Sequence, residues 1–411
     1  MRSGAISLTL GRGTTLALEG IKVIDLTWQG PGPYCTFIMG DLGAEVIRIT
    51  APPTAGARQV QRKAGEREVA YQAIHRNKKS LRLNLKSAEG HKIFTQLVEQ
   101  ADVIVEGYRP GVAKRLGIDY PAMAEVNRRL VYCSITGYGQ DGPYRDLSGH
   151  DINYISFAGA LDLIGEPDRP PVRPLNLLGD YAAGGIGSVV GILSALIARG
   201  KTGRGQYVDI SMTDGIISML ADIAASHYFE SGVPLRRGES YSGGGYPFCN
   251  QYQTKDGGFI TIACLEPWFW ENLCRAIGKE EYIPYNAQCG LDRADKKWSE
   301  ISAYLSQLFL TKTRDEWFNL LSKKDVPIGK VYSIDEVFTD PQVLHRKMVI
   351  EVEHPTEGKV KQVGIAIKLS DTPGAVRSLA PMPGEHTEEI LAGLGYDKSA
   401  ISTLQKEGVI G

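Results

Sequence analysis

Two segments of this sequence place proton-transferring side chains next to loop residues. The first is Gly149-His150-Asp151-Ile152-Asn153-Tyr154, which follows a loop rich in glycine and proline over 137–143. A histidine gains or loses a proton near neutral pH, and Asp151 or another carboxylate could orient its ring. This predicts acid–base chemistry at His150. The alternative is a buried histidine whose nitrogens are satisfied by hydrogen bonds.

The second segment contains Asp180, which opens the longest helix that we predict, 181–199. Asp is a favoured N-cap residue, so a capping role is one interpretation. Free N–H groups at the same helix start would instead stabilise an oxyanion or enolate. Gly184 and Gly185 weaken a helix interior, which the close approach of a ligand or another helix would explain.

Two further segments lie in the second half of the chain. Glu266 follows a predicted strand, and its simpler interpretation is an acid in the first turn of a helix. Gly243, Gly244 and Gly245 form a loop that closes over a ligand or, in the alternative, a linker.

Basic residues gather near the predicted strand ends, where open α/β sheets bind ligands. They are suited to clamping a phosphate-bearing ligand, and solvated surface charge is the alternative for each. The predicted ligand-binding set is Arg48, Arg76, Asn77, Lys78, Lys79 and Arg109.

The elements that position these residues alternate between strands and helices. A strand at 21–26, a turn at 29–33, a helix at 34–42 and a strand at 44–49 form a βαβ unit. Continued alternation predicts an α/β fold with a doubly wound parallel sheet. The Gly-x-Gly-x-x-Gly fingerprint does not follow the first strand, which disfavours a nicotinamide cofactor.

The organisation of the chain follows from length and pattern. Its 411 residues suit two domains. We expect a large α/β domain over 1–225, a small α+β domain with its linker over 226–337, and a C-terminal segment, 338–411, that returns to the large domain. The last predicted helix covers 387–394.

Composition narrows the class of protein. A net charge of −1 provides no field that attracts nucleic acid. The six cysteines form no C-x-x-C pair, which favours reduced thiols in the cytoplasm. We find no signal peptide, and the apolar run 186–198 is shorter than the roughly 20 residues of a bilayer span. A cytoplasmic protein with no membrane or nucleic-acid partner is therefore expected.

Several motifs resemble the class III CoA-transferase family. They include Asp25-Leu26-Thr27, Pro31-Gly32-Pro33, Asn77-Lys78-Lys79-Ser80 and Gly384-Glu385-His386-Thr387. The resemblance covers about residues 19–395. It implies a Rossmann-like large domain, a smaller α+β domain, an interlocked homodimer and an acyl-CoA substrate. It also implies no cofactor beyond the CoA moiety of that substrate, with the reaction centre near the small domain of the opposite subunit.

Within this family, the 149–154 motif and the segment around Asp180 are similar to those of α-methylacyl-CoA racemases. The similarity implies racemisation of 2-methylacyl-CoA thioesters by two-base proton transfer, with His150 and Asp180 as the catalytic bases and Glu266 as the partner of His150. The residues expected to bind substrate are Gln29, Asp151, Asn153, Tyr154, Gly243, Gly244 and Gly245.

Two alternatives stay open. In a CoA-transferase, Asp180 would be the nucleophile that carries an aspartyl-CoA thioester. Ser242 stands where the racemases have an aspartate before the glycines, and 325–329 is slightly more similar to the transferases. In the other alternative, the chain is a non-catalytic, CoA-ester-binding subunit of a heteromeric enzyme.

Overall fold

The computed structural model describes residues 15–53, 69, 72–230, 232–233, 235–240, 242–291 and 295–411. The sequence predicts a loose tail over residues 1–18, and its first part, 1–14, lies outside the described residues. The chain forms two compact units. The first contains residues up to 158 together with 175–219 and 341–411, and the second contains 159–174 and 220–340.

The strands, in chain order, are β1 (Lys22–Asp25), β2 (Glu45–Thr50), β3 (Lys78–Arg82), β4 (Val103–Glu106), β5 (Val131–Thr136), β6 (Tyr207–Ser211), β7 (Cys249–Gln253), β8 (Phe259–Ala263), β9 (Ile328–Lys330), β10 (Val349–His354) and β11 (Gly358–Val363).

The α-helices, in chain order, are α1 (Pro31–Asp41), α2 (Ala88–Gln100), α3 (Val112–Arg115), α4 (Tyr120–Val126), α5 (Asp151–Phe157), α6 (Ala160–Leu163), α7 (Gly187–Thr202), α8 (Met212–Met219), α9 (Ala221–Ile223), α10 (Pro267–Ala276), α11 (Lys296–Phe309), α12 (Arg314–Leu321), α13 (Ile334–Val337), α14 (Pro341–His345), α15 (Thr387–Gly393) and α16 (Lys398–Lys406). Two π-helices cover Leu177–Ile186 and Ala224–Glu230, and short 3₁₀ turns cover Ala73–His75, Glu280–Tyr282 and Ser322–Lys324.

The sheet of the first unit has six parallel strands in the order β3-β2-β1-β4-β5-β6. Strands β4 and β5 are buried along their whole length, as expected for strands covered on both faces. One face packs on α2 through side chains that include Phe94 and Leu97, and the other packs on α1 and α7 through Met39 and Ile192. The predicted mixed α/β fold with a parallel sheet is confirmed.

The order of the strands determines where a ligand can bind. The order in which strands are added reverses at β1: β2 and β3 lie on one side of it, and β4, β5 and β6 lie on the other. The loops that leave the carboxyl ends of β1 and β4 therefore diverge and leave a crevice.

The predicted 181–199 helix differs from the one observed. It starts earlier, as a π-helix over Leu177–Ile186, and continues as α7. The combined helix of 26 residues is long and apolar enough to span a membrane, by length and composition alone. Val189, Ile192 and Ala195 pack into the core of the first unit, so this is a core helix of the α/β layer.

The C-terminal segment adds to the first unit by hydrogen bonds at β3. His386 N–H donates to Ser80 O at 3.0 Å, and Asn77 N–H donates to Ser378 O at 3.1 Å. Helix α16 follows α15, so the helix at 387–394 is not the last one. The N-terminus of α16 is capped by Asp397, whose side chain accepts the Ala400 N–H.

The second unit has its own antiparallel sheet, β7-β8-β9. Its core contains Trp270, Trp298 and Trp317 from three helices. Residues 159–174 belong to this unit, whereas the sequence suggested the large domain. The reason is local, because Arg237 donates to the carbonyl oxygens of Asp162 at 3.1 Å and Glu166 at 3.2 Å.

Candidate active site

A cavity of about 900 Å³ lies in the first unit at the carboxyl ends of the central strands. Its wall is formed by residues 27–32 after β1, 107–110 after β4, 135–138 at the end of β5, and 147–150 before α5. These are the diverging loops at the reversal of strand order, where doubly wound sheets bind their ligands.

His150 and Asp180 both line this cavity. His150 is exposed and has extended backbone at the start of α5. Its N–H donates to the Asn153 side-chain oxygen at 3.0 Å. His150 is therefore not a buried core histidine, and its ring is open to a ligand.

Asp180 lies inside the π-helix and is not an N-cap residue, which corrects one interpretation of the sequence. Asp151 provides the cap, because its Oδ2 accepts the N–H groups of Gly179 at 2.8 Å and Asp180 at 2.9 Å. Those two N–H groups are thereby occupied and do not bind an enolate oxygen. A π-helix is uncommon and frequently marks a functional site.

The Asp180 carboxyl group is held between two neighbours. Asn176 Nδ2 donates to its Oδ2 at 3.1 Å, and a Cβ on Gly30 would lie 2.9 Å from the same oxygen. Burial raises the pKa of Asp180, and Asp151 adds to this, although the hydrogen bond from Asn176 and the charge of His150 lower it. The protonated carboxyl group is thus favoured relative to an exposed aspartate.

The paired glycines in the π-helix are explained by a neighbouring helix. A Cβ on Gly184 would lie 2.5 Å from Pro31 Cβ, and one on Gly185 would lie 2.7 Å from the Tyr34 ring. The backbone of the π-helix therefore packs directly against the first turn of α1, with no room for side chains at Gly184 and Gly185.

Three of the predicted ligand-binding residues are buried. Arg76 has no exposed surface and donates to Asp41 Oδ1 at 2.9 Å and Oδ2 at 2.6 Å. Asn77 donates to the same carboxylate at 2.8 Å. Lys78 is paired with Asp25. These contacts give Arg76, Asn77 and Lys78 structural roles, and direct ligand binding by them stays a prediction that their burial disfavours.

Of the other three residues, Arg109 and Lys79 are more accessible. Arg109 is exposed and lines the cavity. Lys79 lies at the sheet edge between Glu45 at 3.0 Å and Glu389 at 2.8 Å. Arg48 is mostly buried, and its Nε has no hydrogen-bond partner among the described residues.

Of the predicted substrate-binding residues, Gln29, Asn153 and Tyr154 line the cavity, whereas the Asp151 side chain is buried as the π-helix cap. Gly243, Gly244, Gly245 and Glu266 belong to the second unit. Glu266 is the N-cap residue of α10.

Several cavity residues were not singled out from the sequence. They are Trp28, Tyr108, Tyr138, Arg145, Asn176 and Tyr181. Asn176 had a usable signal, since it precedes Asp180 by four residues, which is a hydrogen-bonding distance on a helix. The described residues contain no group of three or more His, Cys, Asp or Glu side chains placed to hold a metal ion.

Comparison with known proteins places this geometry in context. The sequence profile of CoA-transferase family III matches residues 18–387. Human alpha-methylacyl-CoA racemase is 32% identical over 96% of this chain and 98% of its own length. Human succinyl-CoA:glutarate CoA-transferase is 33% identical over 96% of this chain and 90% of its own. A CAIB/BAIF family protein from Brucella suis has a TM-score of 0.77 and 29% identity, over 93% of this chain and 100% of that one. A racemase and a transferase are thus similar to this chain to the same degree.

Proposed function

Because this chain belongs to CoA-transferase family III, we propose that it is an enzyme that racemises 2-methylacyl-CoA thioesters. One observation carries the proposal: His150 and Asp180, two groups able to move a proton, line the same cavity. A racemase needs a base on one face of the α-carbon and an acid on the other.

In the proposed reaction, His150 takes the α-proton from one epimer, and the C–H electron pair becomes the π-bond of an enolate. Protonated Asp180 then gives its proton to the opposite face of that carbon. The roles reverse for the other epimer. The raised pKa of Asp180 supports its acid role. The N-terminal end of α1 reaches the cavity at Gly30–Gly32 and would stabilise the negative enolate oxygen.

The CoA moiety would be held by one exposed basic residue and by buried polar groups that lack a partner. Arg109 lines the cavity. Arg48 Nε, Thr50 Oγ1 and His75 Nδ1 are buried without a hydrogen-bond partner in the described part of the chain. Burial, followed by Arg48 and Lys78, lowers the pKa of His75 to about 2, so the ring is neutral. Unsatisfied buried polar atoms are uncommon, and a phosphate oxygen would satisfy the donors among them.

CoA transfer is the second candidate, because Asp180 is also placed to act without His150. Its carboxylate would attack the donor thioester, form a mixed anhydride and release CoA thiolate. The thiolate would then open the anhydride to an aspartyl-CoA thioester and release the donor carboxylate. The similarity to the succinyl-CoA:glutarate CoA-transferase supports this candidate.

The two candidates separate in one pair of assays. Enzyme, 2-methylacyl-CoA and deuterated water, with no acceptor acid, should give α-deuteration and loss of optical purity if the enzyme is a racemase. Donor thioester with hydroxylamine should inactivate only a transferase, by forming a hydroxamate at Asp180. Modification of Asp180 without α-exchange would replace the first candidate with the second.

We also propose that the protein is an interlocked homodimer in the cytoplasm, with no partner besides acyl-CoA and no further cofactor. Helix α7 supports the dimer, because Val190 and Ile197 are 59% and 66% exposed on one face. In this arrangement the second unit of the partner subunit would bring Glu266 and Gly243–Gly245 to the cavity. Light scattering on the purified protein should give twice the mass of one chain.

A further inference from the structure

A buried ion pair lies behind the cavity wall at 27–32. Asp25 and Lys78 have no exposed side-chain surface, and Lys78 Nζ lies 3.1 Å from Asp25 Oδ2. Lys78 also donates to Thr36 Oγ1 at 2.6 Å and Pro33 O at 3.0 Å. Thr36 Oγ1 donates in turn to Asp25 Oδ2 at 2.6 Å. The three side chains form one closed network.

This network holds both ends of the loop that forms the cavity wall. At the start of the loop, Asp25 Oδ1 accepts the Thr27 N–H at 2.9 Å and the Thr27 hydroxyl at 2.5 Å. At its far end, Lys78 holds Pro33 O in the first turn of α1. The residues between these two points, including Gln29 and Gly30, line the cavity.

The loop and α1 in turn support Asp180. Gly30 leaves no room for a side chain beside the Asp180 carboxyl group, and Pro31 lies against Gly184 of the π-helix. A displacement of the first turn of α1 would therefore change the space in which the Asp180 carboxyl group is held. The chain of contacts runs from Lys78 through Thr36 and α1 to Asp180.

Stability alone is a poor explanation for this ion pair. Removing two charges from water is costly, and well-packed apolar residues of similar volume are often at least as stabilising. Burial raises the pKa of Asp25, but Lys78, Thr27 and Thr36 outweigh this and hold the pKa below its ordinary value. The charged network gives directional contacts to three separate elements, which apolar residues cannot provide.

We propose that Asp25, Lys78 and Thr36 are positioning residues, which set the place of the Asp180 carboxyl group through the first turn of α1. The inference rests on the proposed function in one respect, that Asp180 is the reacting group. It holds equally for racemisation and for CoA transfer, since both use Asp180.

The test compares three single substitutions at buried threonines. Thr36→Val removes the hydroxyl group from the network and keeps the shape, whereas Thr36→Ser keeps the hydroxyl. Thr387→Val is the matched control, because Thr387 is also buried in the first unit and, among the described residues, its hydroxyl accepts only the Arg82 N–H, at the long distance of 3.4 Å. We expect Thr36→Val to lower kcat at least tenfold with KM within twofold, and both other variants to keep kcat within twofold.

A second readout needs no turnover: the rate at which a carbodiimide and an amine modify Asp180, followed by peptide mass spectrometry. We expect this rate to change severalfold in Thr36→Val and to stay unchanged in Thr36→Ser. Wild-type kcat and modification rate in folded Thr36→Val would overturn the inference and leave the network a purely structural role. If Thr36→Val does not fold, the Asp25→Asn/Lys78→Met double variant, which removes both charges together, is measured in the same way.

The proposed function is tested separately, by Asp180→Asn. Full activity of Asp180→Asn would contradict the proposed function whatever Thr36→Val shows. Loss of activity in Asp180→Asn together with normal activity in Thr36→Val would contradict the positioning role alone.

Discussion

Asp151 Oδ2 accepts the backbone N–H of Asp180 at 2.9 Å. Asp151 directly follows His150 in the chain. A single carboxylate therefore links the two segments that carry the proposed bases, although 29 residues separate Asp151 from Asp180. The two proposed bases thus lie on segments joined by a direct contact and not on two independent loops.

Asp151→Ala should lower kcat in protein that is still folded. It leaves two N–H groups at the start of the π-helix without their acceptor, which costs about 1–3 kcal/mol for each group that water does not reach. It also allows Asp180 to shift. We expect kcat to fall by roughly 10–100-fold, and Asp151→Asn, which keeps an acceptor oxygen, to recover part of it. Thermal unfolding and steady-state kinetics on the same samples measure both. Equal activity of the two variants would contradict the capping role.

Gly30→Ala should displace the Asp180 carboxyl group in addition to straining the backbone. Gly30 has φ +61, and its new Cβ would lie 2.9 Å from Asp180 Oδ2. Gly203→Ala is a control for a Cβ at positive φ away from the site, because Gly203 has φ +72 and nothing within 4 Å of its Cβ position. Gly203→Ala should lose about 1–2 kcal/mol of stability. Gly30→Ala should lose more, because its ψ of −120 lies outside the left-handed helical region, and it alone should lose most of its kcat. Similar kinetics for the two would show that Gly30 serves the backbone alone.

Glu106 makes stability depend on pH. It is buried at the end of β4, accepts the Tyr108 N–H at 2.6 Å, and contacts the Ser134 hydroxyl. Burial raises its pKa to about 7, and Asp209 adds to this. Its pKa is higher in the folded state than in the unfolded chain, so the folded state holds the proton more tightly. Stability from this group is therefore full below about pH 4.5 and is lost as pH rises towards 7.

Glu106→Gln should remove this dependence, because the amide mimics the protonated acid. Chemical unfolding at several pH values between 5 and 8 should show wild type losing about 2–3 kcal/mol relative to Glu106→Gln over that window. Parallel curves for the two proteins would mean that Glu106 has an ordinary pKa.

A shared active site predicts complementation between inactive chains. His150→Ala and Glu266→Ala should each be inactive alone. In a mixed dimer, one cavity would contain both substitutions and the other would contain neither, so activity should return to about half that of wild type. Differently tagged chains, co-expressed and purified through both tags, provide the sample. An inactive mixed dimer would place Glu266 in the same subunit's site, and full activity of Glu266→Ala alone would place it outside any site.

Much of the fold was predictable from the sequence. Alternating apolar strands and amphipathic helices predicted the parallel sheet, because burial on both faces leaves a direct mark on residue pattern. The strand ends also predicted the side of the sheet that carries Gln29 and Arg109. The π-helix was not predictable, since its residues are compatible with an ordinary helix and its start is fixed by Asp151, which is distant in sequence.

The sequence also did not predict which charged side chains form buried ion pairs. Lys78 and Arg76 are of residue types that bind anionic ligands. The structure shows instead that Lys78 pairs with Asp25 and that Arg76 pairs with Asp41. Pairing of this kind depends on contacts between different elements, which periodicity does not encode. The spacing of Asn176 from Asp180 was visible in the sequence. The hydrogen bond between them could be recognised only once the structure showed the position of the Asp180 carboxyl group.

Epimer-resolved deuterium exchange tests the central claim most directly. Each pure epimer of a 2-methylacyl-CoA is incubated in deuterated water with wild type, His150→Ala or Asp180→Asn, and α-deuteration and optical purity are followed by proton NMR. The two-base account predicts that wild type deuterates and racemises both epimers, while each variant binds the thioester but no longer interconverts them. Racemisation at the wild-type rate by either variant, or no exchange by wild type with several branched acyl-CoAs, would contradict it.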